Sequence, residues 1–382
     1  MAYKIGIVGA GHWSKRLNTG IEGDHPLEIH KTLDVLPYEE KRDLLEALDI
    51  PERRHHTISP GDPLPDDFFE GLDVVQIASP IEYHKNQTLE SLKRGKFTIT
   101  EKSYGATRDE FEEVLSYIES NDLEDSSYLH LHYLKKLLTL RMPEVVSRAV
   151  EKHGYVDRVE TAFLEKESEE DKGRSWLFEP ENGGVFLDWI HPIEVLVSGC
   201  SATFTELIEA RGYLVNEGYT TKYPTAARAE YRVEGEYFSD GATATVRVGK
   251  GFDGVHQKTM RLVLEDGAHV DFIYADSEEE FETDYRGRWI WREVADGSVR
   301  NVDEARPKGP IPYLLLIEDL TKALEGDGST PLSPDEKRRI YEPVWEFNRA
   351  VEMDDPVRDD DEIQEYVDEA LRTTTKRKTL KR

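Results

Sequence analysis

The chain has 382 residues, 78 of them Asp or Glu against 49 Lys or Arg, for a net charge of −29. That length suggests about two domains and a large core, and so acidic a surface would repel duplex nucleic acid and excludes it as a partner. No apolar run reaches the roughly 18 residues of a membrane span, no signal peptide is expected ahead of the first strand, and the single cysteine, Cys200, leaves neither a disulfide framework nor a cysteine metal cluster.

The N-terminal third alternates strands and helices. YKIGIVGAG is an apolar strand running into glycines, and Gly9-x-Gly11-x-x-Ser14 stands where a helix should open. Glycines there permit a tight turn and let backbone N–H groups approach a pyrophosphate at the helix N-terminus. Gly9, Gly11, His12 and Trp13 are therefore candidate dinucleotide contacts. LEIHKTLDV (27–35) is a second strand, and Asp34 lies 23 residues beyond Gly11, where a carboxylate can accept from a ribose 2′-hydroxyl. That favours NAD. Lys31, Lys41 or Arg42 could instead meet the 2′-phosphate of NADP, and an ordinary loop carboxylate is a third reading of Asp34.

EEKRDLLEALDI reads as a helix with Leu44, Leu45 and Leu48 on one face, followed by His55-His56 as a loop pair. LDVVQIASP is a buried strand, NQTLESLKRGK a helix stopped at Gly95, and FTIT a strand ending on Glu101-Lys102. Thr107-x-x-Glu110 forms a capping box ahead of Phe111, Val114, Leu115 and Ile118, and SSYLHLHYL is one more strand. Alternation of this kind implies a parallel sheet, whose ligands bind at the carboxyl ends of the strands. Gly9–Gly11, Ser79-Pro80, Glu101-Lys102 and His132-Tyr133 all fall at such ends. His84 follows Ser79-Pro80 as a cofactor contact or a helix cap. His130 and His132 share a strand face, but with no cysteine and no third ligand in view, no metal is expected.

After about residue 154 the pattern changes. VDRVETAFLEK, ARAEYRV, ATATVRV, MRLVLEDGAHVDFIY and RWIWREVADGSVRNV are strands, two of them turning through Asp266-Gly267 and Asp296-Gly297. Helices return at 312–324 and after Ser333-Pro334-Asp335-Glu336, which combines an N-cap, a first-turn proline and a capping box. The expected fold is α/β: a Rossmann domain with a parallel sheet over 1–134, then an α+β domain with a mainly antiparallel open sheet over 135–382. Trp289 and Trp291 would pack one sheet face, a candidate surface for a homo-oligomer.

GGVFLDWIH (183–191) places Asp188 and His191 three apart, on one helix face. Histidine suits proton transfer near neutral pH, and a carboxylate beside it can hold its tautomer or bind a hydroxyl. Pro192 is expected to kink the helix, and a histidine held in a domain interface is the alternative reading.

GIVGAGHW, VVQIASPIEYHKNQTLESLKRGKFTITEKS and GGVFLDWIHPIEVL resemble the Gfo/Idh/MocA family of nicotinamide-dependent oxidoreductases over nearly the whole chain. That family's Glu-Lys-Pro motif reads Glu101-Lys102-Ser103 here, with the proline replaced. The resemblance implies NAD or NADP as cofactor, and the placement of Asp34 leans to NAD. It implies Lys102 touching substrate and nicotinamide ribose, His191 as acid–base and Asp188 as its partner or a substrate ligand. Arg174 and Trp176, ahead of the glycine pair, could line a sugar site.

Glu101-Lys102-Ser103-Tyr104-Gly105 and His132-Tyr133-Leu134-Lys135-Lys136 are also similar to motifs of glucose-6-phosphate dehydrogenases, although Lys135 stands in place of a glycine. That similarity implies a sugar phosphate gripped by His132, Tyr133 and Lys136. An unphosphorylated polyol, a nucleotide sugar, or a merely structural role for His132 and Tyr133 stay open. The expected activity is hydride transfer between a sugar or sugar-phosphate hydroxyl and nicotinamide. A catalytically silent dinucleotide-binding sensor and an NAD-dependent glycosidase or lyase are the alternatives. A reducing cytoplasm is the expected compartment. The charge fits a salt-adapted protein of a halophile or a merely acidic one, and the basic tail, Lys376 to Arg382, reads as a frayed terminus.

Overall fold

The structure is a computed structural model that describes residues 2–11, 14, 17–18, 21, 26–130, 136–165, 186–214, 224–250, 257–275, 288–305, 312–327, 332–352, 357 and 359–372. Two compact units form, one from 1–136 with 308–337 and the other from 137–307 with 338–382.

The first unit carries a six-stranded parallel sheet: β1 (Tyr3–Val8), β2 (Leu27–Asp34), β3 (His55–Thr57), β4 (Val74–Ile77), β5 (Phe97–Thr100) and β6 (Ser127–Leu129). Its order is β3-β2-β1-β4-β5-β6, the doubly wound arrangement with its switch point between β1 and β4. His55 and His56 thus belong to an edge strand paired with β2 and not to a loop. The helices are α1 (Arg42–Ala47), α2 (Asp66–Phe69), α3 (Ile81–Lys93) and α4 (Arg108–Ser120). The stretch read as one helix from Glu39 is split, because a 3-10 turn over Tyr38–Lys41 precedes α1. Both sheet faces are covered, so the strands need no polar face. Ile5, Ile7, Val74, Ile99 and Tyr128 meet Leu316, Ile317 and Leu320 of a later helix, and Val8, Val75 and Ile77 meet Phe68, Phe69 and Leu72.

The second unit begins with α5 (Lys136–His153), its first residue apart, then β7 (Val156–Glu165), α6 (Phe186–Cys200) and β8 (Thr203–Tyr213). It continues through β9 (Ala226–Glu234), β10 (Phe238–Lys250), β11 (Gln257–Leu264), β12 (His269–Ala275), β13 (Arg288–Ala295) and β14 (Ser298–Ala305). The remaining helices are α7 (Pro312–Glu325), which lies in the first unit, α8 (Pro334–Glu352) and α9 (Asp360–Arg372). The eight strands run β14-β13-β12-β11-β7-β10-β9-β8, antiparallel except where β10 lies parallel to β7. Both Asp-Gly turns close hairpins as expected: Asp296 and Gly297 each adopt positive φ, 52° and 70°, as a two-residue turn between twisted strands requires.

Trp291 faces Phe272 across the β12–β13 pair and is buried, so it belongs to this chain's own core and offers no open surface. The opposite side of the same strands carries a charged row: Asp271 is flanked in register by Arg261 and Arg292, which donate to its carboxylate at 2.7 and 2.8 Å. The side chain of Trp289 lies outside the described residues.

Candidate functional site

The loops of the first unit gather at the carboxyl ends of its strands. Gly9 has φ +82°, and a Cβ there would stand 2.5 Å from the Ser79 nitrogen, so only glycine lets the β1 and β4 ends meet so closely. The Gly9 N–H donates to Leu33 and the Gly11 N–H to the Ser14 hydroxyl at 3.2 Å, which opens the following turn. His12 and Trp13 lie outside the described residues.

Asp34 ends β2 beside this turn and is nearly buried. Its carboxylate accepts from the Leu36 N–H at 3.0 Å and from the Lys41 ammonium at 2.5 Å. Lys41 also donates to the carbonyl of Ala10, inside the glycine turn. Of the three cations weighed for a 2′-phosphate, Lys41 alone has this placement. Lys31 donates to the carbonyls of Asp67 and Glu70, and exposed Arg42 pairs with Glu39.

Glu101 points into the protein, 2.5 Å from His130 Nδ1, and accepts from the Gln76 amide at 3.3 Å. Burial alone would push its carboxyl up, but the charge and hydrogen bond of His130, with the charges of His84 and Lys102, outweigh burial and hold it below the usual carboxylate range. Lys102 stays partly exposed, and the peptide joining it to Ser103 is cis. Tyr104 is fully buried: its hydroxyl meets Ser127 Oγ at 2.8 Å, and the ammonium of buried Lys337 lies 5.3 Å from its ring centre.

His84 ties two of these loops together. Its Nε2 is 2.7 Å from the Ser79 carbonyl and its Nδ1 is 2.7 Å from the Ser103 carbonyl. Burial pushes its pKa down, against the pull of both carbonyls and of Glu101. A neutral ring would set a lone pair against one of those oxygens, so the contacts favour the doubly protonated ring although burial disfavours its charge. Ser79 Oγ in turn donates to Gln87 at 2.5 Å. Pro80 caps α3 from an extended conformation.

The second unit holds a separate cluster at the start of α6. The helix continues through Pro192 to Cys200, and its pose is fixed by Trp189, which stacks on Phe347 at 3.9 Å and donates to the Tyr231 hydroxyl at 3.2 Å. On the other side of the helix Asp188 and His191 sit together, Oδ1 to Nε2 at 3.6 Å. That is too long for a hydrogen bond, so Asp188 acts on the ring by charge and does not lock its tautomer here. The other oxygen, Oδ2, meets Lys250 at 2.7 Å. Lys250, the last residue of β10, is the register partner of Glu165 on β7, and Glu165 meets Lys258 at 3.0 Å. Lys250, Lys258 and Glu165 were not singled out in the sequence. The signal was there in period two: Glu165 falls on the strand face of Thr161 and Phe163, and a charge ends each buried run.

His132, Tyr133, Arg174 and Trp176 lie outside the described residues, and Lys136 is described only as the first residue of α5. Among the described residues no group of three His, Cys, Asp or Glu could hold a metal, and no helix is long and apolar enough to cross a membrane.

No family model matches the chain. A search of curated proteins likewise found no match. Solved structures do match across both units. UDP-N-acetylglucosamine 3-dehydrogenase GnnA from Acidithiobacillus ferrooxidans is 14% identical, covering 92% of this chain and 99% of its own, with a TM-score of 0.63. KijD10, a 3-ketoreductase from Actinomadura kijaniata in complex with NADP, is 13% identical over 92% and 97%, with a TM-score of 0.65. The scyllo-inositol dehydrogenase of Lactobacillus casei is 17% identical over 93% and 97%, with a TM-score of 0.64. The chain shares their fold. At such identities the likeness carries the architecture and not the substrate.

Proposed function

We propose that the chain is an NAD(P)-dependent oxidoreductase of the Gfo/Idh/MocA type, acting on a hydroxyl of a sugar or polyol. The observation that carries this reading is the crowded strand edge of the first unit, where Gly9 is packed against the β4 end, Asp34 flanks the glycine turn and Lys102 leaves β5. A side chain at Gly9 would clash with the backbone at the β4 end and push the glycine turn apart, and Asp34 offers an acceptor for a ribose hydroxyl, so the residues suit a dinucleotide. Asp34 favours NAD, with Lys41 the residue that would meet a 2′-phosphate.

When bound, the nicotinamide supplies an acceptor for hydride. Oxidation of a secondary alcohol then requires the hydroxyl to lose its proton as the carbon loses hydride. Lys102 would orient the hydroxyl and stabilise developing alkoxide character, and His191 would take the proton. Asp188 would keep negative charge beside the His191 ring. Two of the solved structures named above act on a nucleotide sugar and on an inositol, as their names state, which supports a sugar-like substrate without choosing one.

The test is a panel at high KCl: NAD and NADP against glucose, glucose-6-phosphate, xylose, inositol and a UDP-sugar, read by absorbance of reduced nicotinamide. Turnover with at least one sugar, lost in Lys102→Ala, supports the reading. Cofactor binding without turnover on the whole panel moves the weight to a dinucleotide-binding sensor, and release of a leaving group without net reduced cofactor moves it to a glycosidase.

A further inference from the structure

Asp188 uses its two oxygens on two different partners. Oδ2 meets the Lys250 ammonium at 2.7 Å, and Oδ1 faces His191 Nε2 at 3.6 Å. Lys250 reaches Asp188 from the end of β10, and its own backbone N–H is anchored to the Thr225 carbonyl at 3.0 Å. Its side chain is 12% exposed and that of Asp188 17%, so their attraction is weakly screened by solvent.

We propose that Lys250 is a positioning residue for His191: it holds Asp188 as an anion with one oxygen turned to β10 and the other to the imidazole, and so sets the pH range in which His191 can accept a proton. The inference rests on the reading of His191 as acid–base group.

Cations and carboxylates alternate around the pair among the described residues. Lys250 and Lys258 face Asp188 and Glu165, with Lys250 also 3.7 Å from Glu165, and Glu194 lies buried one turn further along α6. Removing Lys250 leaves an excess of negative charge beside His191. Excess negative charge stabilises the imidazolium, so the ring would hold its proton to higher pH. In the direction of alcohol oxidation the base must be neutral, so the acidic limb of the kcat/KM profile would move up with it.

The experiment follows the imidazole itself. The chain contains 12 histidines, and His191→Gln assigns the His191 resonance in an NMR pH titration without added cofactor. Lys250→Met is expected to raise the His191 midpoint by roughly half to one pH unit. Lys250→Arg restores it, and Lys258→Met, one carboxylate further away, shifts it less. An unmoved midpoint in folded Lys250→Met overturns the inference, as does an equal shift in Lys258→Met. If Lys250→Met does not fold, Asp188→Asn decides: the midpoint must fall, and a fixed midpoint refutes the coupling. The titration needs no turnover. A shifted midpoint with no activity on any sugar would leave this coupling standing and count against the dehydrogenase reading. Activity with an unmoved midpoint would do the reverse.

Discussion

Lys41 and Asp34 form an ion pair of 2.5 Å beside the glycine turn, and the same ammonium holds the carbonyl of Ala10. Under the proposed function these two charges would discriminate oppositely between NAD and NADP, and they are tied together. A 2′-phosphate would have to approach Lys41 against the Asp34 carboxylate, at a like-charge cost. The chain is therefore expected to bind NAD more tightly than NADP. Asp34→Ala should free Lys41 and change the ratio of dissociation constants toward NADP by about tenfold, or about 1.4 kcal/mol. Lys41→Ala should weaken NADP more than NAD. Fluorescence titration with each reduced cofactor checks both.

Lys102→Ala should lower kcat by about 10²- to 10³-fold, the usual cost of losing one preorganised charge that meets the transition state. Cofactor affinity should change much less. Steady-state kinetics beside a cofactor titration separates the two effects, and a fall confined to KM would count against the assigned role.

Glu101 is held below the ordinary carboxylate range by His130, so its native pKa is lower than its unfolded one. Its stabilising contribution is then fully present above the unfolded pKa and is lost as pH falls through the native value. Glu101→Ala leaves His130 buried without its carboxylate and should cost about 3 kcal/mol at pH 7. Urea unfolding of wild type and variant should show that gap narrowing as the pH is brought below about 4.

Trp189 fixes the pose of α6 through Phe347 and Tyr231. Trp189→Ala should cost about 3–5 kcal/mol and reduce activity beyond the loss of folded protein, since Asp188 and His191 share that helix. Denaturant unfolding and specific activity per folded molecule test the two parts.

A net charge of −29 makes self-repulsion the long-range term that salt can relieve. Raising KCl from about 0.1 M to about 1 M shortens the Debye length from about 10 to about 3 Å, so Tm should rise. A flat or falling Tm across that range would remove the case for salt adaptation.

Much of this was legible from local chemistry. Thr107 and Glu110 make the capping box that their spacing implied, and Ser333 and Glu336 do the same at α8. Gly9 reads as a turn and is one. Elements without a local signature were lost. β8 alternates poorly and keeps Glu206 and Glu209 exposed, so TFTELIEARGY gave no buried face to count. α5 contains Pro143, which masks a helix of 18 residues. Asp359 caps α9 by accepting from the Asp361 and Glu362 N–H groups at 3.0 and 3.1 Å. The pairs that build the candidate site join residues far apart in sequence: Glu101 with His130, His84 with Ser103, Asp188 with Lys250. Such pairs follow from sheet order, which periodicity does not encode.

The most direct test of the central claim is to follow the hydrogen. Sugars from the panel, deuterated at every carbon, are incubated with the protein and oxidised cofactor, and the nicotinamide C4 position is read by NMR and mass spectrometry. The account predicts deuterium at C4, on one face only, and its appearance slowed by about 10²- to 10³-fold with Lys102→Ala. Bound cofactor that stays free of deuterium with every sugar on the panel would contradict it.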